Sequence, residues 1–252
     1  DAKPFDWAVG DLVAVDPGRS TVDIRRSIDD PHPAAVVPLP WIPTPEHQAR
    51  LLEIGEWVAE HAIDADGPHL AARRLLLGRP PVVGQAPGAP LQHPDETDLD
   101  AARRLVLALD HTTLAIQGPP GSGKTYSGAR MILTLLRAGK RVGITSTSHK
   151  VIGNLLRAVL KAAAAERVEV RAVQHGPGDQ VLEEPVVKAR DAADVRARLD
   201  TGESNLAAGT SWLWTSSKLL DAVDVLFVDE AGQISLANVI AMSTATASIV
   251  LL

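Results

Sequence analysis

The run Gly118-Pro119-Pro120-Gly121-Ser122-Gly123-Lys124-Thr125 constrains this chain more than any other feature. It follows the pattern G-x-x-x-x-G-K-[ST] and stands between an apolar run, Thr113-Leu114-Ala115-Ile116, and a helical stretch from Lys124 to Ala138. A strand that turns through glycines into a helix leaves backbone N–H groups free to point inward around an anion, where side chains would obstruct them. The helix start adds its positive dipole end. Lys124 can then reach β- and γ-phosphates, the Thr125 hydroxyl can ligate magnesium, and Tyr126 belongs to the same cradle. A Gly-rich turn with no ligand is the plain alternative, and the strand–loop–helix context argues against it.

That context extends along the chain. Leu99 to Leu109 reads as a helix, Arg141 to Thr145 as a strand, Ser148 to Ala165 as a helix and Val168 to Val173 as a strand. Val223 to Val228 is a further strand, a helix follows near Leu236 to Met242, and one more element begins at Ser248. Near-continuous apolar strands separated by helices predict an α/β fold with a parallel sheet covered on both faces. Ahead of this lie a hairpin, Leu12-Val13-Ala14-Val15 and Thr21-Val22-Asp23-Ile24 around Asp16-Pro17-Gly18, and six prolines between Pro31 and Pro45. A helix is expected from Pro45, capped by Thr44, to about His61, and a second over His69 to Leu77. Pro80 to Pro94 reads as a linker. The domain reading is therefore 1–30 as a β-hairpin or part of a small barrel, 31–95 as connector and helical stalk, and 96–252 as the main domain.

Val225-Leu226-Phe227-Val228-Asp229-Glu230 is the expected partner of the loop. A buried strand ending in Asp229 delivers a carboxylate to a magnesium shell, and Glu230 can orient or deprotonate an attacking water. A kinase would not need the second carboxylate, so the pair favours nucleotide hydrolysis.

The residues around these two motifs resemble superfamily 1 helicases. Asp229-Glu230-Ala231-Gly232-Gln233 is similar to their second motif, Ile144 to Leu156 to motif Ia, and Ala208-Gly209-Thr210 to motif Ic. The resemblance is closest to the 1B branch, the Upf- and Dna-like helicases, and within it to bacterial proteins fused to a RecB-like nuclease domain. It covers residues 98–252 well and the preceding hairpin and helices loosely. It implies a RecA-like P-loop domain using ATP and Mg2+, with Lys124, Asp229, Glu230 and Gln233 catalytic and an accessory insertion at about 166–205. It also implies a second RecA-like domain in the same parent chain, and single-stranded nucleic acid as partner, DNA rather than RNA, held through Thr147, Ser148, His149, Lys150 and Thr210. Read from the residues alone, the 145–150 hydroxyls fit either a phosphate contact or a simple helix cap with Ser148 as the capping residue. Trp212 and Trp214 follow motif Ic at strand spacing, with core packing the reading for both and base stacking the alternative for one. Family members place a Gln shortly before the loop to read adenine, where this chain has Asp98-Leu99-Asp100-Ala101-Ala102. A P-loop ATPase of another class, without helicase activity, is the competing reading.

Composition sets the outer bounds. At 252 residues and 45% hydrophobic, the chain can bury a core, and no run approaches the ~18 apolar residues of a membrane span. Zero Cys excludes disulfides, zinc knuckles and thiol catalysis, and fits a cytoplasmic location. The start, Asp1-Ala2-Lys3-Pro4, has no signal-peptide character, and Asp1 in place of Met suggests a piece of a longer chain. Net charge is −6, yet His111 to Ala165 holds no acid and carries Lys124, Arg130, Arg137, Lys140, Arg141, Lys150, Arg157 and Lys161. That imbalance suits either a polyanionic partner or solubilised helix surfaces.

Overall fold

A computed structural model describes residues 11–25, 29, 43–86, 88–119, 121–182 and 184–252. The chain divides into two units, 1–43 and 44–252. In the first, β1 (Asp11–Asp16) and β2 (Thr21–Arg25) form an antiparallel hairpin with an irregularity between Leu12 and Ala14. Asp16 closes its turn, its Oδ1 accepting from the N–H groups of Gly18 at 2.9 Å and Arg19 at 3.1 Å. The remaining barrel portion expected within 1–30, and the proline-rich connector as far as 42, lie outside the described residues.

The second unit opens with α1 (Pro45–His61) and α2 (Leu70–Leu76). Thr44 sits at the cap position of α1 but its side chain makes no capping bond, so Pro45 alone marks that start. The loop between the helices is organised by Arg73, whose buried guanidinium donates to the carbonyls of Ile63 (2.8 Å), Gly67 (3.2 Å) and Pro68 (2.9 Å) and stacks over Trp57. The order then runs α3 (Asp98–Leu107), β3 (Thr113–Ala115), α4 (Lys124–Arg137), β4 (Val142–Thr145), α5 (His149–Glu166), β5 (Ala172–Gln174), β6 (Val187–Lys188) and α6 (Ala192–Thr201). It closes with β7 (Leu206–Ala208), α7 (Ser211–Trp214), β8 (Val223–Val228), α8 (Leu236–Met242) and β9 (Thr246–Leu251).

Seven of these strands form one parallel sheet in the order β3-β9-β8-β4-β7-β5-β6. Alternation along each strand separates two cores. Leu114, Ile144, Ala208, Phe227 and Val250 pack with α3, α4 and α5 on one face. Val173, Ala207, Leu226, Val228 and Ile249 pack with α6, α7 and α8 on the other. Both faces are apolar because both are covered, which is why the strands read as continuous apolar runs. A third cluster joins Ile54 of α1, Ala72 of α2 and Ile240 of α8. The 166–205 segment, expected as an accessory insertion, contributes β5, β6 and α6, and its two strands extend the sheet. The strand expected from Val168 starts at Ala172. The two-residue spacing of Trp212 and Trp214 belongs to a short helix, not a strand.

Candidate functional site

Because every strand of the sheet runs the same way, the strand ends bring distant parts of the chain to one edge. Ala115, Leu251, Val228 and Thr145 are cross-strand neighbours, and Ile144 lies opposite Ala208. The 118–125 loop, Asp229-Glu230, residues 147–150 and Gly209-Thr210 therefore all leave the sheet at its C-terminal edge, the usual ligand edge of open α/β sheets.

Gly118 to Gly123 connects β3 to α4, with Pro120 outside the described residues. Gly121 (φ +81°) and Gly123 (φ +86°) are left-handed, and Gly123 is the cap residue of α4. These two conformations are disfavoured for residues with a Cβ, which explains glycine at both places. Lys124 is half-buried, and its Nζ donates to the carbonyl of Gly118 at 2.8 Å across the loop. Tyr126 is exposed, and the guanidinium of Arg130, one turn on, covers its ring at 3.3 Å from the centroid. Gly128, on the sheet side of α4, has no Cβ to collide with Leu252 Cδ1, which would be 2.6 Å away.

Asp229 follows β8 directly, with 5% of its surface exposed. Its N–H donates to the carbonyl of Thr145 (2.9 Å) and its carbonyl accepts from Ser146 Oγ (2.8 Å), so its backbone is fixed from β4. Burial pushes its carboxyl up; the Glu230 N–H, donating to Oδ1 at 3.1 Å, and the charge of Lys124 oppose that, while the Glu230 charge adds to it. Glu230 is exposed and left-handed (φ +53°), and its Oε2 accepts from Gln233 Nε2 at 3.4 Å. A non-glycine residue in that region carries strain of the kind that clusters at functional sites. Thr125 and Asp229 supply hard oxygens of the type magnesium prefers. The described residues hold no cluster of three or more His, Cys, Asp or Glu able to bind a metal unaided. The oxygen donors of Thr125 and Asp229 are of a kind that fits magnesium.

At the start of α5 the roles divide. Ser148 is the cap, its Oγ accepting from the Val151 N–H at 3.3 Å. Thr147 and Lys150 are exposed. His149 is half-buried against Gly176, with Nδ1 buried and without a partner among the described residues, and its pKa is lowered by burial and by His175. Thr210 precedes α7 without a side-chain cap bond. Gln92 holds the start of α3, donating to the Glu96 carbonyl (2.9 Å) and Asp98 Oδ1 (3.0 Å).

The acid-free stretch is less bare than its sequence. Arg130 and Arg137 meet Glu166, Lys140 meets Asp224, and Arg141 meets Asp200, all at 4.0 Å or less. Local sequence could not show this, since all three carboxylates lie beyond the stretch. A contact also missed is His47 of α1, 4% exposed, with Nε2 at 3.0 Å from Ser211 Oγ. No sequence pattern links residues that far apart.

No family model matches the chain. In sequence it is similar to the DNA replication ATP-dependent helicase/nuclease DNA2 of Xenopus laevis, 25% identical over 193 residues, which is 74% of this chain and 18% of that protein. The chain thus spans less than a fifth of that relative's length. Among solved structures it is similar to the UvsW helicase from bacteriophage T4, with a TM-score of 0.42, 8% identity, and coverage of 70% of this chain and 57% of that one. The domain is α/β with a seven-stranded parallel sheet covered by helices, and it is helicase-like in sequence.

Proposed function

We propose that this chain is the ATP-binding motor domain of a superfamily 1 DNA helicase, hydrolysing ATP to move along single-stranded nucleic acid as part of a longer protein with a second RecA-like domain. The observation that carries this reading is the shared edge: the 118–125 loop, Asp229-Glu230 and the motif Ia and Ic residues, scattered over more than a hundred positions, emerge side by side. The backbone N–H groups of the loop would cradle the phosphates and Lys124 would leave the Gly118 carbonyl for the β- and γ-oxygens. Magnesium, when bound with the nucleotide, neutralises phosphate charge, and Thr125 and Asp229 would hold it. Glu230 would take the proton of the attacking water, with Gln233 orienting the carboxylate it already touches. Thr147, Lys150 and Thr210 would contact the strand's phosphates, so that a change at the nucleotide is felt one and two strands away.

Calorimetry with Mg·ATP on this 252-residue chain, and phosphate release by the longer parent with and without single-stranded DNA, test the reading together. Magnesium-dependent binding, and turnover stimulated by the strand, are expected. Turnover indifferent to any single strand would point to a P-loop ATPase of another class. Absence of Mg·ATP binding would sink the nucleotide site itself.

A further inference from the structure

We infer that Trp212 is a stacking platform for one base of the bound strand; this deepens the nucleic-acid reading above and rests on it. The two tryptophans of α7 have opposite fates. Trp214 is fully buried, and its indole N–H donates to the carbonyls of Ile144 and Gly209, each at 3.1 Å. Trp212, two residues earlier and so on the other side of the helix, is 42% exposed. An indole left half in water forgoes hydrophobic stabilisation that a ligand can recover.

The exposed ring is held in place. His47 meets it edge-on at 4.7 Å and 75°, and His47 is itself buried, with Nε2 at 3.0 Å from Ser211 Oγ and Nδ1 at 3.5 Å from Thr215 Oγ1. Such an aromatic is pre-organised, so little rotamer freedom is lost when something stacks on it. Its position names the occupant. Trp212 lies two residues past Thr210, whose side chain is not used as a cap, and the Gly209 N–H donates to the Ile144 carbonyl, joining this turn to the end of β4. The next turns of chain after β4 carry Thr147 and Lys150, both exposed. The turns after β4 and β7, joined by that bond at the C-terminal edge, thus offer exposed Thr147 and Lys150 on one and an exposed indole a few residues along the other, which suits a polymer anionic along its backbone and aromatic along its bases. Stacking is indifferent to base identity, as a translocating strand requires.

The test is fluorescence anisotropy of a labelled oligo-dT and of the same oligonucleotide made abasic, with the wild-type chain, Trp212→Ala, Trp212→Phe and Lys150→Ala. Trp212→Ala is expected to weaken oligo-dT binding about tenfold, Trp212→Phe far less, and neither to alter binding of the abasic strand. Lys150→Ala should weaken both strands alike. The change in tryptophan emission on adding oligo-dT should be lost in Trp212→Phe, a reading independent of how well the alanine variant folds. Equal losses on both strands with Trp212→Ala and an unaltered emission change in Trp212→Phe would overturn stacking and favour a structural or protein-contact role. Unchanged oligo-dT binding by Trp212→Ala beside a weakened Lys150→Ala would overturn stacking alone. Failure of the wild type to bind either strand would overturn the nucleic-acid reading with it.

Discussion

Gly143 and Trp214 share one space: a Cβ on Gly143 would lie 2.7 Å from Cη2 of Trp214 and 2.8 Å from Leu226 Cδ1. The missing side chain in β4 leaves room for the indole, whose N–H reaches the carbonyls of Ile144 and Gly209. The strand loses β-propensity at Gly143 and gains a fixed link between the turns that follow β4 and β7.

Gly143→Ala should therefore destabilise the domain by about 1–3 kcal/mol through overpacking, seen as a lower urea midpoint with the slope unchanged. Trp214→Phe removes the larger ring and should partly rescue it, so the double variant should lose less than the sum of the singles. Strict additivity would show that the two side chains do not compete.

Lys124→Ala removes the ammonium that spans the loop to Gly118. Mg·ATP affinity should fall roughly ten- to a hundredfold, the range of a charged hydrogen bond of ~1.5–3 kcal/mol, and any ATP turnover, by this chain or by a longer protein of the kind proposed, should vanish. Melting temperature should move by no more than ~2 °C, since no buried apolar contact is lost. Retained hydrolysis would contradict the assignment.

Asp229 gives a pH prediction whose sign follows from burial. Its folded pKa is raised, so the folded protein holds this proton more tightly than the unfolded chain. The stability this contributes is present below the ordinary carboxylate value and lost as pH rises through the raised one. Asp229→Asn should accordingly melt ~2–4 °C above wild type at neutral pH, with the gap closing on acidification, while losing magnesium-dependent nucleotide binding. Scanning calorimetry across pH checks the first part; a constant gap would show that the carboxyl's ionisation is not what costs stability.

Lys150→Ala tests the strand contacts through salt. Each phosphate contact to a single strand contributes ~0.7 to the slope of log K against log salt, so the variant's slope should be shallower by about that amount with no change in sequence preference. An unchanged slope would place Lys150 off the path.

The elements that frame the candidate site were legible because their signals are local. Gly118 to Thr125 announces a glycine turn into a helix, and Asp229 follows an apolar run that reads as, and is, a buried strand. The alternation of helices and strands from Asp98 onward likewise needs only nearest-neighbour patterning. What escaped was non-local or too short. β7 is Leu206-Ala207-Ala208, three residues without a β-branched side chain, and it is a strand because β4 and β5 flank it. The α7 tryptophans read as strand because, with only four helical residues, two-residue spacing has no periodicity to oppose it. The pairing of Arg137 with Glu166 and of Arg141 with Asp200 arises only once helices fold back, so charge counted along the chain overstated the free cations.

The place of β9 has a consequence for how such a site drifts. It lies between β3, which leads into the glycine loop, and β8, which leads into Asp229, so the two are separated by two inter-strand spacings, ~9.5 Å. That interval is a gauge cut by the backbone ladder, indifferent to which apolar side chains β9 carries. Its far end is stitched to the same turn, the Leu252 N–H donating to Val228 at 3.0 Å and its carbonyl accepting from Ala231 at 3.1 Å. The spacing between the strand that enters the glycine loop and the strand that precedes Asp229 is thus set by the backbone ladder of β9, and only losing or gaining a strand would reset the width of the slot.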